Sequence, residues 1–263
     1  MSALGPRRAD RTFGPPSPLQ RHAQAAGDPR HLPVDREHTH RDVSGGWLRP
    51  AVFGAMDGLV TNVSLITGVG GGGAMSRSIV LTGVAGLVAG AFSMATGEWT
   101  SVRSQNEAVA AEVQVEALQL RFHPEAEVAE LTESYVARGV DRDIARAVAE
   151  QLSADPTEAL RVHTQQELGV DPDELPSPWL AALSSFVFFA MGAVVPLLPY
   201  LAGVGSLSAS VGLTAIGLLA TGATVARINR RPALAGALRQ LLLGAAAAGV
   251  TYLVGRAIGA AVH

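Results

Sequence analysis

Residues 54–73 read GAMDGLVTNVSLITGVGGGG and, after the break Ala74-Met75-Ser76-Arg77-Ser78, residues 79–107 read IVLTGVAGLVAGAFSMATGEWTSVRSQNE. Each holds an apolar run of about 20 residues, the length a helix rising 1.5 Å per residue needs to cross a hydrocarbon core of about 30 Å. One acid, Asp57, stands early in the first run, and Met94 and Glu98 stand late in the second. A carboxylate inside a spanning helix is costly, about 3 kcal/mol on insertion scales, and reads by default as part of a pathway.

Working outward, three further apolar windows cover about residues 179–200, 206–226 and 234–259, which with 50–71 and 77–100 makes five. Hydrophobic content of 48% with only 5% aromatics describes a chain of Ala, Gly, Val and Leu, suited to close helix packing in lipid. The expected fold is an all-α integral membrane protein of five transmembrane helices. Residues 48–100 hold helices 1 and 2, residues 179–260 hold helices 3 to 5, and an acidic helical domain at 101–178 is inserted between helices 2 and 3. Residues 1–47 read as a disordered Arg- and His-containing tail, without the apolar core of a secretory signal.

The 20 basic and 23 acidic residues nearly cancel, but they are segregated. Residues 101–178 carry 16 of the acids against six Arg, a net charge of −10 that makes either a cation-binding face or a solvated one. Placing the N-terminus in the cytoplasm puts the Arg-rich tail, the acidic block and the Arg227, Arg230, Arg231 turn on one side, as the positive-inside rule requires. Five spans then leave the C-terminus outside. The basic set is wholly Arg, which fits a biased genome and proves no organism; the expected location is a bacterial-type plasma membrane, with a vacuolar or other organelle membrane the alternative. With no Cys, the available metal ligands are carboxylate, imidazole and thioether.

The acidic block reads as helices. Neither Pro nor Gly interrupts Glu98 to Phe122, so span 2 is expected to run on past the bilayer until His123-Pro124 stops it. Pro124 opens a second helix closed by Gly139, Asp141 caps a third, and Asp155-Pro156 starts a fourth closed by Gly169. Glu112 and Glu116 share one face of the long helix, Glu127 and Glu130 share a face of the next, and Glu167 follows His163 by one turn. If the helices converge, these side chains form a metal cluster; if they do not, they are a solvated acidic surface. The tail histidines His38 and His40 are weak metal candidates of the same kind.

Within the bilayer, counting from opposite faces puts Asp57 about 10 Å deep from the cytoplasmic side and Met94 about 24 Å from the other, nearly one level. A carboxylate beside a thioether suits Fe2+ better than Mg2+ or Ca2+. Glu98, one turn nearer the cytoplasm than Met94, receives the ion or carries a proton; the competing reading is a solvated boundary acid. Asn62 and Ser93 read as interhelical hydrogen-bonding groups. Gly54/Gly58, Gly86/Gly90 and Gly255/Gly259 have GxxxG spacing, and the first pair packs either on a twofold mate or inside the chain. Pro196 and Pro199 mark a kink or a stop near the outer end of span 3.

DGLVTN in the first span, AGAFSMATGEWTSVRSQNE in the second, the EAEVAEL and QQELGV stretches and the return LPSPWLAALSSFVFFAMGAVVPLLPYL together resemble the vacuolar iron transporter (VIT, or CCC1-like) family over about residues 47–260. The resemblance implies a homodimer of five-helix protomers that exchanges cytosolic Fe2+, or Mn2+ in some members, for protons, with a cytoplasmic carboxylate-rich domain gathering the ion. It carries transport roles to Asp57, Met94 and Glu98. Where members often show another acid one turn after Glu116, this chain has Gln119, and near His163 some members offer Met. The sequence therefore predicts a proton-coupled Fe2+ and/or Mn2+ exporter with no organic cofactor and no nucleic-acid partner. A membrane-tethered ferroxidase is a rival of another class, but the acidic helices hold no Glu-x-x-His pair of the ferritin kind. A metal-regulated membrane scaffold without transport is the second rival.

Overall fold

The structure, a computed structural model, describes residues 46–262; the tail and its His38 and His40 lie outside the described residues. Among the described residues eight helices follow one another: α1 Leu48–Gly71, α2 Ser76–Phe122, α3 Pro124–Ala137, α4 Arg142–Leu152, α5 Pro156–Glu167, α6 Pro178–Leu201, α7 Leu207–Ile228 and α8 Ala233–Val262. No strand occurs among the described residues. Five helices, α1, α2, α6, α7 and α8, are long and apolar enough to cross a membrane.

Small residues set how closely those five approach. A Cβ on Gly58 would stand 2.2 Å from the Phe189 carbonyl oxygen of α6, and one on Gly192 would stand 2.3 Å from that of Ala55, so α1 and α6 cross almost backbone on backbone. Gly54 faces Ser185 in the same crossing, where its Cβ would lie 2.8 Å from the carbonyl oxygen. The Gly54/Gly58 pair thus packs inside the chain, and the alternative of packing on a twofold mate is not realised there. Gly255 and Gly259 of α8 lie in the same manner against Gly68 and Gly72 of α1. Helix α1 is therefore central, touching α2, α6, α7 and α8.

Hydrogen bonds reinforce the crossings. Asn62 Nδ2 donates to the Ala193 carbonyl, and Thr67 Oγ1 donates to that of Ala248 at 3.2 Å. Pro196 and Pro199 lie inside α6, which continues to Leu201, so neither stops the helix. The Ser210 hydroxyl donates to the Pro196 carbonyl at 2.6 Å, tying α7 to that proline-bearing turn. Arg239 and Arg256 of α8 are both exposed.

Helix α2 is the exceptional element. Its 47 residues span about 70 Å, more than twice a hydrocarbon core of about 30 Å, so its C-terminal half stands clear of the bilayer. The turn His123-Pro124 ends it, and α3 to α5 fold back beside this extension. Asp141 accepts from the Asp143 backbone N–H at the start of α4, and Asp155 accepts from those of Thr157 and Glu158 at the start of α5. Gly139 (φ 95°) and Gly169 (φ 68°) take the left-handed turns after α3 and α5 that other residues rarely adopt. Leu131, Ala149 and Val162, one from each of α3, α4 and α5, form the small apolar core.

Candidate metal centre

Three helices bring four side chains together. Glu116 comes from the α2 extension, Glu127 from the first turn of α3, and His163 and Glu167 from adjacent turns of α5. One ligand atom from each lies within 4.8 Å of the others. His163 Nδ1 is 3.1 Å from Glu116 Oε1, 3.4 Å from Glu127 Oε2 and 3.6 Å from Glu167 Oε1. The histidine is 1% exposed, Glu116 8% and Glu127 6%, whereas Glu167 opens to solvent at one side. A cavity of about 310 Å³ adjoins them, lined also by Glu112, Gln119, His123, Glu130 and Thr164.

This arrangement is electrostatically frustrated without a cation. Burial, followed by the negative charges of Glu167, Glu127 and Glu130, pushes the Glu116 carboxyl up to about 7. Glu127 is also raised, again by burial first, with His163 acting in the opposite sense. One imidazole N–H cannot serve three carboxylate oxygens, and Glu116 Oε1 and His163 Nε2 are both buried without a hydrogen-bond partner. Neighbouring donors around a tetrahedral ion bound at about 2.1 Å stand about 3.4 Å apart, close to the 3.1 to 3.6 Å that separate His163 Nδ1 from the three carboxylate oxygens. Three oxygens with one nitrogen fit a divalent ion such as Fe2+ or Mn2+.

Of the six residues expected in the cluster, four form it and two, Glu112 and Glu130, are exposed on the cavity wall. His123 is the residue the sequence reading missed. The sequence marks it as a helix stop, and its place between Phe122 and Pro124, at the joint of two carboxylate-bearing helices, is the signal that puts it on the same wall.

The membrane residues are arranged differently. Gly86 of α2 lies against Asn62 and Leu65 of α1, which fixes the antiparallel register. Asp57 is five residues before Asn62 and Met94 eight after Gly86, so their heights differ by about 4.5 Å. Asp57 is half-buried, accepts from Thr61 Oγ1 at 3.1 Å, and joins no ion pair among the described residues. Met94 packs on the apolar cluster of Ala91, Phe189 and Ala193. Glu98, about 6 Å beyond Met94, lines a cavity of about 620 Å³ with Arg49, Phe53 and Met56 of α1, Gln105 of α2, Pro176, and Ile228 of α7.

Fold and site together define an integral membrane protein with five spanning helices and a buried carboxylate–imidazole cluster on the extension of the second. The chain belongs to the VIT family, whose model matches residues 48–256. It is similar to the vacuolar iron transporter of Acanthamoeba castellanii (strain ATCC 30010 / Neff), 35% identical over 223 residues that cover 82% of this chain and 81% of the relative. Vacuolar iron transporter homolog 1 of Oryza sativa subsp. japonica is 34% identical over 217 residues, 78% of this chain and 71% of the relative. Vacuolar iron transporter homolog 3 of Arabidopsis thaliana is 32% identical over 223 residues, 82% and 86% of the two chains.

Proposed function

We propose that the chain transports divalent metal, Fe2+ and/or Mn2+, out of the cytoplasm in exchange for protons. The observation that carries the reading is the cluster of Glu116, Glu127, His163 and Glu167, whose Glu116 sits on the same continuous helix that bears Met94 and Glu98. The names of the similar proteins, all vacuolar iron transporters or their homologs, support iron as cargo. The cluster gathers the ion, Glu98 receives it at the mouth of the bundle, and Asp57 with Met94 passes it across the bilayer while protons return to the carboxylates.

The cluster faces the cytoplasm in this reading, with the N-terminus inside and the C-terminus outside. Support comes from Arg49 at the start of α1 and from the end of α7, which line one cavity and so put the Arg227, Arg230, Arg231 turn at the same end of the bundle as Arg49. The working assembly is a homodimer in a bacterial plasma membrane. Thr61, the donor to Asp57, opens with Ser64 on a largely apolar groove between α1 and α8 that leaves this face of α1 available to a partner. The test is metal flux in proteoliposomes under an imposed pH gradient. Asp57→Ala is expected to abolish Fe2+ or Mn2+ flux while leaving the fold intact, and flux equal to that of the unmodified chain would sink the mechanism.

A further inference from the structure

From residue 175 onward the chain holds five Arg and no Asp or Glu. Four of the five, Arg227, Arg230, Arg231 and Arg239, stand at and just beyond the turn between α7 and α8, and all four are exposed. Among the described residues none of them joins an ion pair; the arginines that do, Arg103, Arg142, Arg146 and Arg161, all lie in residues 101–178. Backbone N–H groups of Arg230 and Arg231 donate to the carbonyls of Arg227 at 3.1 Å and Ala226 at 2.7 Å, so one tight reversal carries three guanidinium groups. Arg239 lies on the helix that follows. At 30 residues α8 is about 45 Å long against a hydrocarbon core of about 30 Å, so Arg239 and Arg256, each six residues from an end, fall at the two edges of the hydrocarbon. Gly236 and Gln240 make the contact with α7 at Gly222, and Arg239 stands exposed beside that contact, toward lipid. Leu242 and Leu243, one turn deeper on the same side, are 68% and 60% exposed.

We infer that this patch is a binding site for an anionic phospholipid, its phosphate held by the arginines and its acyl chains lying along Leu242 and Leu243. The positive-inside rule explains why basic residues collect in a turn, but it leaves their charge without a partner. No acid of this part of the chain can supply one, and Glu98, which shares a cavity with Ile228 and Asn229, pairs with none of the four. The counter-charge therefore comes from the surroundings, which at this depth are lipid headgroups. Guanidinium suits a phosphate because its planar fork donates two parallel hydrogen bonds to it. A zwitterionic headgroup brings its own cation and cancels the attraction, so the site selects lipids of net negative charge. Arg239 is what makes the patch a lipid site rather than a general basic surface. Its stem crosses the edge of the hydrocarbon, and Ala235, one turn nearer the helix start, is small and exposed. The side chain therefore runs back toward the turn while the two leucines cover the helix beneath it. A free inorganic anion would use the guanidinium groups and leave that apolar surface unused.

The test titrates the full-length protein, in a nonionic detergent, with phosphatidylglycerol or phosphatidylcholine and reads bound lipid by native mass spectrometry. Phosphatidylglycerol is expected to bind at least about tenfold tighter than phosphatidylcholine, since each basic side chain near an anionic headgroup contributes about fivefold. Arg239→Gln should then weaken phosphatidylglycerol about fivefold, and Arg231→Gln combined with Arg239→Gln about 25-fold. Arg239→Lys keeps the charge and should keep most of the affinity, which separates loss of charge from loss of fold. Arg256→Gln is the matched control at the other edge of the hydrocarbon, where a single exposed Arg stands alone on α8, and should leave binding unchanged. Equal affinity for the two lipids, or equal losses from Arg239→Gln and Arg256→Gln, would overturn the site. Displacement of phosphatidylglycerol by excess inorganic phosphate would assign the arginines to a free anion and overturn the lipid as occupant. None of these outcomes bears on metal transport, which stands or falls by the flux measurement.

Discussion

Metal binding at the cluster is expected to titrate with Glu116. Its carboxyl, held at about 7 by burial and by the charges of Glu167, Glu127 and Glu130, keeps its proton in the absence of metal below that pH. An ion entering the cluster displaces this proton, so apparent affinity rises with pH up to about 7 and levels off above it. Because the ionised fraction of Glu116 falls from about nine-tenths at pH 8 to about one-tenth at pH 6, Mn2+ affinity should drop about tenfold between them. Glu127, raised in the same sense, steepens the fall at lower pH. Calorimetric titration of the purified protein with Mn2+, in buffers of different ionisation enthalpy, reads both affinity and proton release. Release should approach one proton per ion at pH 6 and vanish at pH 8.5. Glu116→Gln removes the titrating group, so its profile should be flatter while its affinity at pH 8 is weaker. An unmodified protein whose affinity is constant from pH 5.5 to 7.5 would refute the frustrated-cluster reasoning.

His163→Gln replaces the one nitrogen donor, and competition titrations should show Fe2+ and Zn2+ losing affinity relative to Ca2+ and Mg2+. Gly58→Ala drives a methyl to 2.2 Å from the Phe189 carbonyl oxygen and should cost about 1–3 kcal/mol, read as a lower thermal midpoint in detergent. Gly97→Ala, with nothing within 4 Å of its Cβ, should be neutral by the same assay. Arg142→Ala breaks the Glu133 ion pair, whose hydrogen bond holds the Glu133 carboxyl below its usual range; with both groups exposed, melting temperature and metal affinity should not move. In flux assays Glu116→Gln should raise the half-saturating metal concentration while keeping the maximal rate, and Asp57→Ala should abolish transport at every concentration.

The architecture was legible where chemistry is local. Absence of Gly and Pro from Glu98 to Phe122 foretold the unbroken α2, and Asp141, Asp155, Gly139 and Gly169 marked helix ends by capping and backbone conformation alone. Assembly of Glu116, Glu127, His163 and Glu167 was legible only as carboxylates on shared helix faces. Which members meet depends on how α2, α3 and α5 cross, and only the mutual placement of α3 and α5 is held by the packing of Leu131, Ala149 and Val162. Partner choice at Gly54 and Gly58 was invisible for a related reason. A GxxxG pair announces close approach without naming the helix that approaches, and the reciprocal Gly192 in α6 lies more than 130 residues away in the chain.

The length of α2 constrains how its two sites can cooperate. Glu116 lies 18 residues beyond Glu98, about 27 Å along the axis, too far for an ion to be handed directly between their ligands. Of the acids between them, Glu107 is paired with Arg103, which leaves Glu112 on the wall of the cluster cavity itself. In the proposed mechanism an ion that leaves the cluster is therefore rehydrated before Glu98 takes it up at the mouth of the bundle. In the proposed mechanism the cluster raises the local supply of metal, while the chemistry that commits an ion to cross resides at Asp57 and Met94. That division of labour is why neutralising one cluster carboxylate should shift saturation, whereas removing Asp57 should remove transport.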